Sequence, residues 1–309
     1  CHRIALSMKA FRHSDLRRLG LMLIIFNPVA GERRRRRLDR ALDTLRALAI
    51  RHEVVETVRK GHAAVLARAA VRLSAPVIVA AGGDGTIAEV ADAVAGSDSL
   101  LGILPFGTAN VLACELGLPL DAKLAAEVLA RRNPRLLHPG HASFADGSER
   151  LFVQMIGAGL DAAVVANLPF GLKRAFGRFA YVFQTVRELP RYRYPRIKAI
   201  LDGTEAAAAS VVVTKGHYYG GRFVLAPGAR PDQPGFHVAL LRDPGPLHAL
   251  AAGAALPLGL LPHLPGMELL RVGTVSLHGA SVGVQADGDP AGHLPVTIRD
   301  DPRPLRVLV

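Results

Sequence analysis

Short apolar runs alternate with helically spaced stretches through the first 135 residues of this chain. Residues 21–26, 53–58, 76–81 and 100–104 are apolar enough to read as strands buried on both faces. Between and after them, apolar residues three and four apart predict helices over 32–49, 62–73, 86–95, 108–116 and 121–132, the last with Asp121 as its N-cap. Such alternation predicts a parallel sheet with helices on both faces, over residues 21–135. From residue 136 to 309 the pattern changes to short β-rich runs at 197–201, 209–214, 222–226, 236–242, 272–278, 282–286 and 294–298. Gly and Pro punctuate these runs, which predicts an antiparallel sandwich. Residues 1–20 read as a basic leader, and no internal repeat or low-complexity linker separates the parts.

Composition adds limits. At 309 residues and 50% hydrophobic, the chain can bury the cores of two domains. Two cysteines, Cys1 and Cys114, cannot build a disulfide framework, which fits a reducing cytoplasm. The opening Cys1 leaves Met8 as an alternative start. The most apolar stretch, Leu247 to Pro262, is broken by Pro257 and carries His248, so it reads as a helix plus loop rather than a membrane span. No secretory signal pattern is present. The net charge of +12 comes from 32 arginines and only six lysines. The run Arg33 to Arg37 is either a solvated helix face or an attraction for phosphates and anionic headgroups. With 5% aromatic residues and no recognisable nucleic-acid module, nucleic acid is not the expected partner.

Three loops at predicted strand ends carry the chemistry. Gly82-Gly83-Asp84-Gly85-Thr86 follows a strand and opens a helix. Its glycines would let a phosphate reach bare backbone N–H groups at the positive end of the helix dipole. Asp84 there suits a magnesium ion or its water shell. The competing reading is a left-handed glycine turn with a helix cap at Thr86. Asn27-Pro28-Val29-Ala30-Gly31 and Pro105-Phe106-Gly107-Thr108-Ala109-Asn110 end two more strands, and ligands of open parallel sheets bind outside such ends. Neither a P-loop nor a dinucleotide fingerprint is present. The twelve histidines show no zinc or triad spacing.

NPVAG, GGDGT and LPFGTAN, in this order and spacing, resemble the diacylglycerol kinase catalytic-domain family, in particular the soluble bacterial lipid kinases related to sphingosine and ceramide kinases. The resemblance continues through Phe152 to Asp161 and Val284 to Asp289, and covers residues 21–309. It implies an α/β domain with an NAD kinase/diacylglycerol kinase-like parallel sheet and a C-terminal antiparallel β-sandwich, with the active site in the cleft between them. The final strand is allowed to return to the first domain. It further implies ATP as co-substrate and Mg²⁺ as cofactor. Asn27, Gly31, Thr57, Gly82, Gly83, Asp84, Gly85, Thr86, Gly107, Thr108 and Asn110 would form the nucleotide site, with Asp84 near the metal. Thr57, set by the resemblance near the adenine or ribose, reads almost equally well as a strand-end turn residue.

The second half would supply the base. Asp287-Gly288-Asp289 places two carboxylates around a glycine, and alternate residues of an extended chain point the same way. Taken alone, Asp-Gly is better read as a turn. Relatives usually carry Asp-Gly-Glu with the third residue as proton acceptor, so the resemblance assigns that role to Asp289, one methylene shorter, with Asp287 as its substitute. A second departure is Val111-Leu112 where Asp-Phe is common. The loop 226–236 resembles one that holds a structural magnesium, with Asp232 as its ligand, although a plain turn is slightly favoured. Gly157-Ala158-Gly159-Leu160-Asp161 ends in a carboxylate that is either at the lipid site or on an exposed turn.

Residues 170–194 hold Phe170, Phe176, Phe179, Tyr181, Phe183, Tyr192 and Tyr194, interleaved with Lys173, Arg174, Arg178, Arg187, Arg191 and Arg193. They read either as a membrane-contacting helix or as core. The expectation is therefore an ATP-dependent lipid kinase acting on diacylglycerol or a related lipid. It would be cytoplasmic and peripherally bound to an anionic membrane, with a homodimer left open. NAD kinase shares GGDGT, but its Asn-Glu pair on a later helix is not found. A catalytically silent nucleotide- or lipid-binding regulator is the rival from another class.

Overall fold

The computed structural model describes residues 20–30, 32–168 and 178–309. Gly31, the leader before Gly20, and Phe170, Lys173, Arg174 and Phe176 lie outside the described residues, as do the side chains of Arg178, Phe179 and Tyr181. The chain divides into two units: one runs to Leu137 and takes in Pro302–Val309, and the other is His138–Asp301.

The first unit follows the alternating pattern. Its strands are β1 (Met22–Phe26), β2 (His52–Glu56), β3 (Val77–Gly82), β4 (Leu100–Pro105) and β5 (Pro134–Leu137). Its helices are α1 (Glu32–Ala47), α2 (His62–Arg72), α3 (Asp84–Val94), α4 (Val111–Glu115) and α5 (Ala122–Arg131). The sheet order is β2-β1-β3-β4, then the C-terminal strand Leu305–Leu308, then β5. The C-terminal strand runs parallel to β4 and antiparallel to β5. β1 and β3 are buried along their whole length, as central strands covered on both faces must be. On one face Leu38, Leu42 and Leu45 of α1 and Ala122, Ala126 and Leu129 of α5 pack on Met22, Ile24, Val77 and Val79.

Two differences from the sequence expectation bear on function. α3 starts at Asp84 with Gly83 as its N-cap residue, so Thr86 is inside the helix and caps nothing. The helix expected over 108–116 shrinks to Val111–Glu115, because residues 107–110 form a loop closed by the Asn110 side chain.

The second unit contains β6 (Gly140–Phe144), β7 (Glu149–Phe152), β8 (Met155–Ala158), β9 (Ile197–Leu201), β10 (Thr204–Ala208), β11 (Ser210–Thr214), β12 (Tyr218–Tyr219), β13 (Phe223–Val224), β14 (Phe236–Leu241), β15 (Met267–Val272), β16 (Val275–His278), β17 (Gly283–Ala286), β18 (Asp289–His293) and β19 (Val296–Asp300); Leu305–Leu308 above is β20. Its helices are α6 (Leu160–Ala166), α7 (Arg178–Glu188) and α8 (Pro246–Ala255). Two antiparallel sheets, β10-β9-β16-β19-β6-β7 and β15-β14-β11-β8-β17-β18, enclose one core. Ile197, Ala199, Leu277 and Ile298 from the first meet Ile156, Val211, Val213, Val238 and Val284 from the second. The single run expected at 272–278 is two strands. Asp202 divides them by accepting the N–H groups of Gly273 and Thr274 at 2.9 and 2.7 Å.

Candidate active site

In the first unit the strand ends are aligned by ordinary ladder bonds. Thr57 N–H donates to Phe26 O at 2.9 Å, Asn27 N–H to Ala81 O at 3.0 Å, and Phe106 N–H to Gly82 O at 2.8 Å. Parallel pairing thereby sets Asn27, Thr57, Gly82 and Phe106 along one edge, the carboxyl edge where such sheets take ligands. Thr57 and Thr86 are buried, whereas Thr108 is exposed. Asn27 Nδ2 donates to Thr86 Oγ1 at 3.0 Å, and its Oδ1 accepts Val29 N–H at 3.1 Å. Two residues of the arginine run anchor here instead of forming a purely solvated face. The Arg35 guanidinium lies over the Phe26 ring and pairs with Glu56. Arg37 lies over Phe106 and donates to the carbonyls of Pro105 and Leu120.

The glycines serve close packing, not the left-handed turn that was one expectation. Gly83 has φ −96°, and neither Gly82 nor Gly85 has a positive φ. A Cβ on Gly82 would stand 2.6 Å from Thr86 Oγ1. One on Gly107 would stand 2.5 Å from Gly83 Cα and 2.7 Å from Asn110 Oδ1. The GGDGT and GTAN loops thus touch backbone to backbone at Gly83 and Gly107. A side chain at Gly83 would meet Gly107 Cα at 3.2 Å, so it would disturb the second loop as well as any phosphate path.

Asp84 stitches the same two loops together. Its Oδ2 accepts Asn110 N–H at 3.0 Å and its Oδ1 accepts Val111 N–H at 2.6 Å, capping α4 from outside that helix. Asn110, 3% exposed and left-handed at φ 49°, exchanges bonds with the Gly107 peptide at 2.7 and 2.9 Å. Both side chains, expected at the nucleotide or its metal, hold the two loops together in this structure. Glu89, which the motif reading missed, repeats the device one turn on: its two oxygens accept Gly61 N–H at 2.8 Å and Ala63 N–H at 3.1 Å, at the start of α2. A glutamate one turn beyond the motif was its only signal in sequence.

The start of α3 brings backbone N–H groups to the same edge. The first helical bond of α3 is Ile87 N–H to Gly83 O at 3.0 Å. Helix geometry therefore gives the N–H groups of Gly85 and Thr86 no carbonyl within the helix, at its positive end. That is an anion site in chemical character. Among the described residues no three His, Cys, Asp or Glu side chains gather to hold a metal. The donor set fits a magnesium ion carried on nucleotide phosphates and met through water, since Mg²⁺ keeps several waters and needs few carboxylates.

In the second unit Asp287 and Asp289 do not point the same way along a strand. Asp287 and Gly288, at φ 48° and 80°, form the tight turn between β17 and β18. Asp287 turns inward, and its carboxylate accepts Val153, Gln154 and Met155 N–H at 2.8, 2.9 and 3.0 Å. Loss of water pushes its pKa up to about 6, against the pull of those three donors. Those three bonds hold the β7–β8 turn. Asp289 opens β18, half-buried. Next to it Gly288 N–H is held at 2.9 Å by Gln285 Oε1, whose Nε2 donates to Asp161 Oδ2 at 2.8 Å. Tyr219 donates its hydroxyl to the other oxygen of Asp161. Asp161 is thus not on an exposed turn, and burial raises its pKa. Tyr219 and Gln285 gave no signal of their own, although Gln285 lies within the quoted VQADGD run.

Asp232, the expected magnesium ligand, lies in the 226–236 loop. Both its oxygens accept from the Arg230 guanidinium, at 3.1 Å each. The loop is fastened by Lys215, whose fully buried ammonium donates to Gly235 O at 2.8 Å, Gln233 O at 3.3 Å and Asp300 Oδ1 at 2.6 Å. Burial lowers the Lys215 pKa, and Asp300 opposes the shift.

Two family models match in tandem: the diacylglycerol kinase catalytic domain over residues 21–142, and the YegS C-terminal NAD kinase beta sandwich-like domain over residues 154–309. This chain belongs to the diacylglycerol kinase catalytic-domain family. It is an enzyme of the phosphotransferase class with an alcohol group as acceptor. It is 28% identical to diacylglycerol kinase of Mycobacterium tuberculosis over 79% of this chain and 80% of that one. Identity is also 28% to diacylglycerol kinase of Bacillus subtilis, over 85% and 80% of the two chains. It is 30% to a Pseudomonas aeruginosa protein named "Probable lipid kinase YegS-like", over 74% and 75%. A crystal structure of a diacylglycerol kinase from Bacillus anthracis shares the fold with TM-score 0.67 at 17% identity, covering 93% of this chain and 96% of the other.

Proposed function

We propose that the enzyme transfers the γ-phosphoryl group of ATP to the hydroxyl of a lipid, diacylglycerol or a close relative, at an anionic membrane surface on the cytoplasmic side. The observation that carries this reading is the start of α3. There Asp84 and Asn110 join the two loops, and the Gly85 and Thr86 N–H groups, which helix geometry pairs with no carbonyl of α3, stand at its positive end, where phosphates bind. Asn27, Thr57 and Thr108 border that edge on the first unit. Magnesium, when bound with the nucleotide, neutralises phosphate charge. On the second unit Asp289 is the proton acceptor. The acceptor hydroxyl gives it a proton, the new O–P bond forms, and the bond from the γ-phosphorus to the leaving ADP oxygen breaks. The relatives' names support a lipid acceptor.

The test is purified protein with labelled ATP, Mg²⁺ and a panel of diacylglycerol, sphingoid bases, ceramide and NAD. Label transferred to a lipid is the expected result. Label on NAD alone would replace the reading with that of an NAD kinase, and no transfer alongside tight ATP binding would leave a silent regulator.

A further inference from the structure

Helix α8 is built inside out. Its inward positions are small: Ala249 joins a cluster with Leu160, Val164 and Leu189, and Ala252 packs with Leu256 beside Leu225, Ala239 and Leu261. Its outward positions are apolar and include its two leucines. Leu247, Leu250, Ala251, Ala254 and then Leu258 just past its end recur at three- and four-residue spacing, and all are exposed. Leu247 is 78% exposed and Leu258 70%. A water-facing helix normally places leucines inward and charges outward. Here no Asp, Glu, Lys or Arg occurs from Pro246 to Met267.

Basic side chains lie in the segment whose apolar residues pack with Ala249 of this helix. Leu189, Tyr192 and Tyr194 pack in the cluster that holds Ala249, and among them the chain exposes Arg187, Arg191 and Arg193. The preceding turns of α7 expose Phe183 and Val186. Of the acidic groups nearby, Glu188 is buried and bonded to Gln184, Glu268 is paired with Arg242, and Asp243 stands exposed before the helix. Among the described residues no helix is long and apolar enough to cross a membrane. An exposed leucine face together with exposed arginines on the segment packed against its helix suits the boundary between headgroups and acyl chains, where leucines leave water and arginines meet anionic phosphates.

We infer that the outward face of α8, with Leu258 and Leu260, is a membrane-docking surface, with Arg187, Arg191 and Arg193 selecting anionic lipid. The inference rests on the lipid-kinase reading for the presence of a bilayer, and the two are separable by experiment. The full chain carrying Leu247→Ser, Leu250→Ser and Leu258→Ser is sedimented with vesicles of phosphatidylglycerol plus phosphatidylcholine, and with phosphatidylcholine alone. Its partition should fall about 10²-fold, since three leucines no longer leave water. Arg187→Gln, Arg191→Gln and Arg193→Gln together should remove the preference for anionic vesicles. Phosphorylation of a dispersed short-chain diacylglycerol should stay at the wild-type level in both, which also shows that both are folded.

Undiminished vesicle binding by the leucine variant, with lipid phosphorylation intact, overturns the surface and leaves the kinase standing. Lost vesicle binding in a protein that phosphorylates no lipid does the reverse. A wild-type dimer that the leucine changes dissociate, measured by light scattering, would give the face to a second copy and overturn the inference.

Discussion

The GGDGT loop of the first unit and the Asp-Gly-Asp turn of the second both carry a motif aspartate, and in both the first-met carboxylate is structural. Asp84 accepts two backbone N–H groups and ties one loop to another; Asp287 accepts three and ties a turn to a strand pair. What each region then offers a ligand differs. The first offers backbone N–H groups, whose character does not depend on any side chain. The second is assigned a side-chain carboxylate, Asp289, which follows the Gly288 peptide held by the Asp161–Gln285–Tyr219 network. Mutations should therefore act through loop geometry in the first and through proton transfer in the second.

The largest effect should come from Asp289→Asn. It keeps volume but cannot accept a proton at neutral pH, and turnover should fall by about 10²–10⁴-fold. ATP affinity, measured by titration, should be unchanged, because the nucleotide is assigned to the first unit. Asp289→Glu should retain activity. Full turnover in Asp289→Asn would erase the distinction between the two regions.

The apolar runs made the first unit legible, because a central parallel strand is buried on both faces and shows it directly in sequence. The β-rich second half was harder. Strands such as Glu149–Phe152 and Thr204–Ala208 are short, partly exposed and low in β-branched residues, so nothing in their local pattern marks them. At the sites, the loops were found but not the division of labour within them. Whether a glycine admits a phosphate or a neighbouring backbone depends on a contact 24 residues away, Gly83 against Gly107, which no local pattern encodes. The same holds for Lys215, whose partners Gly235 and Asp300 are 20 and 85 residues distant.

Lys215→Met sharpens the comparison by asking whether a buried charge, too, is structural. It leaves Asp300 without its ammonium, and stability should drop by about 3 kcal/mol, the low end for a broken buried pair because Asp300 remains 30% exposed. Chelator should not change the wild-type melting temperature. A fall on adding chelator would mean that the 226–235 loop holds a metal after all.

The Asp287 clasp has a pH signature. Its pKa is raised to about 6 in the fold, above the ordinary carboxylate value near 3.9, so the folded state binds the extra proton between those values. Its contribution is fully present below about pH 4 and is lost as pH rises through 6, by up to about 3 kcal/mol. Denaturant unfolding at a series of pH values should show wild type losing ground to Asp287→Asn over that window. A difference that grows with pH would mean that the three N–H donors outweigh burial.

The smallest effect should come from Asp84→Asn, and it decides whether the first region's carboxylate belongs to the loops or to the metal. Asn supplies one acceptor oxygen but turns an NH₂ toward the second N–H of the α4 start, so one clasp bond becomes a donor facing a donor. The expected cost is about 1–2 kcal/mol, in the range for losing a helix cap. The accompanying loss of activity should be a weaker ATP affinity that follows the loosened Gly83–Gly107 contact, with the dependence of rate on free Mg²⁺ unchanged. A metal role predicts the opposite pair: a melting temperature equal to wild type and a rightward shift of the Mg²⁺ dependence that excess Mg²⁺ repairs. Because Asp84 meets Asn110 and Val111 through their backbone N–H groups, side-chain changes at Val111 should not imitate Asp84→Asn. Val111→Ala, which keeps that N–H, is the matched control. If it reproduced the loss of ATP affinity, packing of α4 and not the clasp would set the loop, and the parallel between Asp84 and Asp287 would fail.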